Sequence, residues 1–313
     1  MRIRWFGSVS AAATVMAVLS QDPRPVVVAQ TGGGSQVKTA GGCPAENSQV
    51  FHTCALETIK TFKPPLSHDG RPNLQGYWEG SPTSDAVDYT LEGVEASNPE
   101  TKRPIMPWEV GPPLIVDPPD GRIPYQPWAA EIGRKGLNFT KYLDPRTACS
   151  SGGVSRVMQY DFQILQHKDY IAMLVEDHHA YRIITTNGRP HPRSGIKTFY
   201  GDATGRWEGN TLIVDVTHLS GHNWLDDSGN FYTDAAHLVE RLTLIDADTI
   251  HYDITFEDPK AYTRPWKVVW PLLRQQDPKF QHLEEACWEG ERDVPRFLEA
   301  GYRFYFGEPW RSR

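Results

Sequence analysis

Only four cysteines occur in 313 residues, and no two of them are spaced as C-x-x-C. That spacing removes zinc ribbons, thioredoxin-type redox pairs and C-x-x-C-H haem attachment. No H-E-x-x-H, G-x-S-x-G, Walker or G-x-G-x-x-G segment is present, so the local signatures of metalloproteases, α/β-hydrolases, P-loop enzymes and dinucleotide enzymes are missing. Lysine and arginine nowhere form a basic run, and the net charge is −7, which leaves phosphate backbones and anionic lipid nothing to hold. Nucleic acid is not an expected partner. No apolar stretch reaches the roughly twenty residues of a bilayer span.

What is present is a ladder of short strands. From Arg156 to Leu273, β-branched and aromatic runs alternate with polar turns at spacings of about 8–12 residues or more. Strands are predicted at Val157 to Leu165, Tyr170 to Val175, His179 to Ile184, Thr198 to Tyr200, Thr211 to His218, Leu238 to Ile245, Thr249 to Glu257 and Trp266 to Leu273. Asn187-Gly188 and Asp246-Ala247-Asp248 are turn signals, the second short enough to join its neighbours as an antiparallel hairpin. The fold class is mainly β: an antiparallel meander forming a barrel or strongly curved sheet, with a proline-rich irregular N-terminal wrap.

Four segments follow. Residues 1–29 have the pattern of an export signal, Arg2 and Arg4 preceding the apolar run Val9 to Leu19 and then small residues at Ser20 or Ala29. Residues 30–62 form a flexible linker and a polar, turn-rich piece with Cys43 and Cys54. Residues 63–155, crowded with prolines that forbid a regular sheet interior, wrap the core, with one short helix from Trp128 to Leu137 and a first strand-like piece at Gly76 to Glu79. Residues 156–313 are the β domain. Export permits disulfides, and of three pairings the simplest joins Cys43 to Cys54 and Cys149 to Cys287. The second would close a long loop and remove about 4–5 kcal/mol of unfolded-state chain entropy.

Period-two alternation assigns faces. Ile250, Tyr252, Ile254 and Phe256 share a packed side, and the preceding strand puts Leu238, Leu242 and Leu244 on its own packed side with Glu240 between them. A core-facing carboxylate costs several kcal/mol unless compensated. Glu240 is therefore either a buried ion pair with Arg182 or Arg206, or a group that serves a ligand, or the sign of a misread register. His237 lies three residues earlier and would project from the opposite face. Eleven histidines are present, several near Asp202, Asp215 and Asp253, but none has metal-ligand spacing; His218 and His222 could converge across a turn, and no metal or other cofactor is assigned. Trp207, Trp224, Trp266 and Trp270 with Tyr200, Tyr232 and Tyr262 supply flat walls either to the core or to a small-molecule cavity.

The segments His68 to Trp78 (HDGRPNLQGYW), Tyr181 to His191 (YRIITTNGRPH), Tyr200-Gly201-Asp202 through Asp215, and Glu257-Asp258-Pro259 with Thr263-Arg264-Pro265-Trp266 resemble a large family of exported, mostly uncharacterised bacterial β-rich proteins. The resemblance spans roughly residues 64 to 288 and implies an exported, periplasmic or secreted β protein; it carries over no catalytic residue. The strand pattern is also similar to a lipocalin-type barrel, an analogy of fold alone. The expected partner is a small polar aromatic or glycosidic molecule. Two readings stand: a cofactor-independent hydrolase or lyase with Glu240, His237, Asp202 and His191 as candidate catalytic groups, and a non-catalytic binder. In both, Arg182, Arg206, Trp207, Trp224, Trp266 and Tyr252 are candidate ligand contacts.

Overall fold

The computed structural model describes residues 39–80, 114–135, 142–226, 229–285, 287 and 293–304. The export-signal segment and residues 81–113 of the proline-rich stretch lie outside them. Fourteen strands are described: β1 (Thr39–Ala40), β2 (Cys43–Pro44), β3 (Gly76–Glu79), β4 (Ile115–Asp117), β5 (Tyr142–Leu143), β6 (Phe162–Gln166), β7 (Tyr170–Val175), β8 (Tyr181–Thr185), β9 (Asp202–Glu208), β10 (Thr211–Thr217), β11 (His237–Leu244), β12 (Thr249–Glu257), β13 (Trp266–Arg274) and β14 (Arg303–Phe304). The helices are α1 (Ser48–Ile59), α2 (Pro127–Lys135), α3 (Gly153–Val157) and α4 (Asp293–Glu299). None of the described helices is long and apolar enough to cross a membrane.

Nine strands close a mixed barrel in the order β12-β11-β10-β9-β8-β7-β6-β3-β13, with β13 pairing back onto β12. The hairpin expected at Asp246 to Asp248 is present: Leu238 lies opposite Phe256, Leu242 opposite Tyr252, and Ile245 N–H donates to the Thr249 carbonyl at 3.0 Å. Alternation sends one set of side chains inward, and they fill the barrel: Trp78, Phe162, Tyr252, Phe256, Trp266 and Trp270 are all fully buried. Trp266 stacks on Phe256 with ring centroids 4.4 Å apart, and Tyr252 meets Trp270 edge to face at 4.7 Å.

Three segments differ from the sequence reading. The strand expected from Val157 starts only at Phe162, because Val157 closes α3, the short helix that begins at Gly153 with φ +79°. Thr198 makes only an isolated bridge to Leu219. The stretch around Cys54 is helical: Asn47 caps α1 by accepting from the N–H groups of Gln49 and Val50, and Phe51 and Ala55, one helical turn apart, bury against Val116, Ile245 and Val269 on the outer wall. The barrel also takes β3 from the proline-rich stretch, inserted between β6 and β13.

Both expected disulfides are in place, each with Cα atoms 5.7 Å apart. Cys43–Cys54 fastens the β1–β2 hairpin to α1. Cys149–Cys287 ties the turn before α3 to the segment after β13.

Candidate functional site

The barrel has one parallel junction. β8 and β9 pair only through Ile184 with Ala203 and Thr185 with Thr204, so their preceding residues, 181–183 and 198–202, are not joined by the ladder. A hairpin would have zipped this edge shut, whereas the long connection 186–201 brings β9 in parallel and late. A cleft of about 470 Å³ occupies the gap, with Ser151, His178, Tyr181, Arg182, Tyr200 and Ala203 among its walls. Two glycines permit this geometry. Gly205 lets β9 approach β8, since a Cβ there would sit 2.8 Å from Ile184 Cγ2; Gly201, at φ +64° and on the cleft wall, faces the Thr217 carbonyl where a Cβ would come to 2.2 Å.

Arg182, on β8 at the cleft, turns its side chain into the barrel, where it is 1% exposed. Its Nη1 donates to Glu240 Oε1 at 3.0 Å and Nη2 donates to Oε2, a two-point pairing; Tyr252 O–H donates to the same Oε1 at 2.7 Å. Burial works against the guanidinium's charge, but the Glu240 carboxylate outweighs it and raises the Arg182 pKa. Arg182 Nε is buried and has no hydrogen-bond partner among the described residues. At the cleft wall, Ser151 Oγ donates to Tyr200 Oη at 2.5 Å. Burial pushes the Tyr200 pKa up to about 12, so the hydroxyl keeps its proton at any physiological pH.

His178 stands at one end of the cleft in the left-handed region, φ +55°. Its Nδ1 meets Asp177 Oδ1 at 2.8 Å, Nε2 faces the Arg146 carbonyl at 3.3 Å, and its backbone N–H donates to Glu285 Oε2 at 2.9 Å. Burial disfavours a charge on this ring, yet the hydrogen bond to Asp177 outweighs that and the pKa is raised. Asp177, His178 and Glu285 form the one described group of three whose ligand atoms lie within 4.8 Å of one another and could hold a metal ion. Both ring nitrogens are turned to oxygens, however, and Arg146 pairs with Asp177 Oδ1, the arrangement of a proton-bearing imidazole.

The candidate catalytic groups divide between two faces of the wall. Glu240 points inward. His237, His191 and Asp202 lie outside, joined through Asp215: His191 Nδ1 is 2.5 Å from Asp202 Oδ2, its Nε2 is 2.8 Å from Asp215 Oδ1, and Asp215 Oδ2 is 3.1 Å from His237 Nε2. His237 Nδ1 continues to Glu257 at 3.1 Å, and Arg189 clamps Asp202 with two donors at 3.0 and 2.6 Å. The hydrogen bond to Asp215, with help from Glu257, raises the His237 pKa to about 9, and the same contact lowers that of Asp215. Asp202 is lowered first by Arg189.

Of the candidate ligand contacts, Arg182 alone is among the cleft's walls. Tyr252 and Trp266 are fully buried in the core, Trp224 is buried beside Phe231, Trp207 packs partly against the core, and Arg206 is on the outer face with Glu208 at 2.8 Å. Ser151, His178 and Tyr181 were not named as ligand contacts, because only the parallel junction brings them together. The long β8–β9 connection was the available signal, being too long for a hairpin.

The fold and site thus define a nine-stranded mixed β-barrel with a filled interior and a lateral cleft at its parallel seam. No family model, no curated protein and no solved structure matches the chain.

Proposed function

We propose that this protein is an exported binder of a small polar aromatic molecule, held in the cleft between β8 and β9. The observation that carries the reading is the cleft itself, about 470 Å³ at the parallel seam, where Tyr181, Ile183 and Tyr200 offer apolar walls and Ser151 and His178 polar groups. Two disulfides and the leader-like start support export, and the resemblance to a family of exported bacterial proteins accords with it. Binding in the cleft is favoured over hydrolysis because none of Glu240, His237, Asp202 and His191 is among its walls, Glu240 being separated by the barrel wall from the outer His191–Asp202–Asp215–His237 network with both its oxygens already engaged.

The test is saturation-transfer NMR with 2-acetonaphthone and 2-ethylnaphthalene, bicyclic probes suited to the cleft's volume. Transfer to at least one probe at or below about 1 mM is expected, with loss of signal in Ala203→Phe, which fills the cleft, and in Ile183→Trp at its exposed rim. Melting temperatures establish that the variants fold. No transfer to either probe, or transfer that survives in a folded, blocked variant, overturns the reading.

A further inference from the structure

The open edge of β8 carries main-chain groups that no ladder takes up, and we propose that they read the ligand: an uncharged, planar heteroaromatic ring with a lactam-type edge, an N–H beside a C=O, that pairs with the Tyr181 carbonyl and the Ile183 N–H. This deepens the binding reading above and rests on it. The direction of these groups follows from the β7–β8 ladder. Val175 N–H donates to the Ala180 carbonyl and Thr186 N–H to the Asp169 carbonyl, both at 2.8 Å, and in the same register Met173 lies opposite Arg182 and Ile171 opposite Ile184. Bonding alternates along an antiparallel pair, so Arg182 and Ile184 spend their main-chain groups on β7 while Tyr181, Ile183 and Thr185 turn theirs the other way. On that side the ladder to β9 begins only with Ile184 beside Ala203 and Thr185 beside Thr204. The Tyr181 N–H, the Tyr181 carbonyl and the Ile183 N–H have no hydrogen-bond partner among the described residues, and they face the gap that is the cleft.

In an extended strand the carbonyl of one residue and the N–H two residues on lie along one edge and point the same way. A ring edge with a donor beside an acceptor meets both at once. A trans amide cannot, since its N–H and C=O point in opposite directions. The free edge runs only from Tyr181 to Ile183 before β9 closes it, and a cleft of about 470 Å³ suits a small ring system better than an added peptide strand. Charge is excluded as well. The cationic side chains among the walls are already matched, Arg182 by Glu240 and His178 by Asp177, so an anion would surrender its hydration and find no unpaired cation in return. The side chains of Tyr181 and Ile183, exposed at the rim, offer the ring apolar surface.

The experiment titrates 2-quinolone, N-methyl-2-quinolone and 2-ethylnaphthalene into the full protein by calorimetry. N-methylation keeps the ring and its carbonyl and removes the donor. 2-Quinolone is expected to bind about tenfold more tightly than its N-methyl derivative, the worth of one well-made hydrogen bond. A site-resolved readout on the unaltered protein is the Ile183 amide proton, whose exchange with solvent should slow and whose resonance should move downfield with 2-quinolone, and do neither with 2-ethylnaphthalene. Ile183→Pro removes that N–H, which no ladder uses, and should lower the affinity for 2-quinolone about tenfold while leaving that for 2-ethylnaphthalene unchanged; its melting temperature shows whether it folds, and the amide readout decides the matter if it does not. If 2-quinolone and its N-methyl derivative bind equally and both are excluded by Ala203→Phe, the cleft reading stands and the edge assignment falls. An Ile183 amide that bound 2-quinolone leaves unchanged, or tighter binding of N-acetylphenylalanine methylamide than of 2-quinolone, likewise overturns it. If none of these probes binds, nor 2-acetonaphthone, both fall together.

Discussion

Arg182–Glu240 inside the barrel and the His191–Asp215–His237 network outside it share strand β11, yet they obey different physics. Inside, the two side chains are 1% and 0% exposed; outside, His191, Asp215 and His237 are 23%, 28% and 34% exposed. Strand β11 supplies both Glu240 and His237, three residues apart, and the pleat sends them to opposite sides. In the dry interior a broken pair leaves a bare charge, so the pair is all or nothing. On the wall, water takes up whatever a mutation releases, and pairing acts mainly on proton affinity.

The largest expected effect comes from breaking the inner pair. Glu240→Gln or Arg182→Met should each cost about 3–5 kcal/mol in chemical denaturation, because the remaining charge is buried alone. The double variant Arg182→Met with Glu240→Met should recover most of that loss, since no charge is left to desolvate. Equal losses in the single and double variants would mean that packing, rather than charge, dominates the site.

A second comparison sets two wall histidines against each other. His251 points outward from β12 but is covered by α1, where His52 Nδ1 sits 2.9 Å from its Nε2, and burial drives its pKa down to about 3. His237, uncovered and flanked by carboxylates, rises to about 9. The signs follow. A histidine held neutral by burial leaves stability intact above about pH 6.5, and stability falls as pH drops below that and the unfolded chain takes up the proton the folded one refuses. His237 does the reverse: its contribution is complete below about pH 6.5 and fades as pH rises toward 9. Denaturation midpoints should therefore peak near neutrality. The acid limb should be the steeper, a loss of about 2–3 kcal/mol by pH 4. The alkaline limb should stay under about 1 kcal/mol because His237 is partly solvated, and His237→Asn should remove it. An alkaline limb unchanged in that variant would detach it from this residue.

The smallest effect belongs to Arg206, once a possible partner of Glu240. It pairs outside with Glu208, both side chains more than half exposed, and Arg206→Ala should shift stability by no more than about 0.5 kcal/mol. A loss comparable to that of Arg182→Met would contradict the assignment of inner and outer partners.

Local pattern alone determined a good deal. Alternation in Thr249–Glu257 and the Asp246–Asp248 turn specified the β11–β12 hairpin with Leu242 facing Tyr252, because a period of two and a short connection leave one register that buries the apolar set. The same alternation marked Glu240 as an inward carboxylate and named Arg182 among its possible partners. Four cysteines allowed three pairings, and the simplest of them, Cys43 with Cys54 and Cys149 with Cys287, is the one formed. Tertiary structure decided the rest. Which arginine meets Glu240 depends on barrel closure, which sets β8 and β11 face to face across the core though they are not neighbours in the sheet. The lateral cleft depends on β9 joining β8 in parallel over two residue pairs, a long-range outcome that no local propensity records. That His237 and His251 titrate in opposite directions depends on whether a helix docks over them, and a histidine's sequence neighbours carry no information about what will cover it.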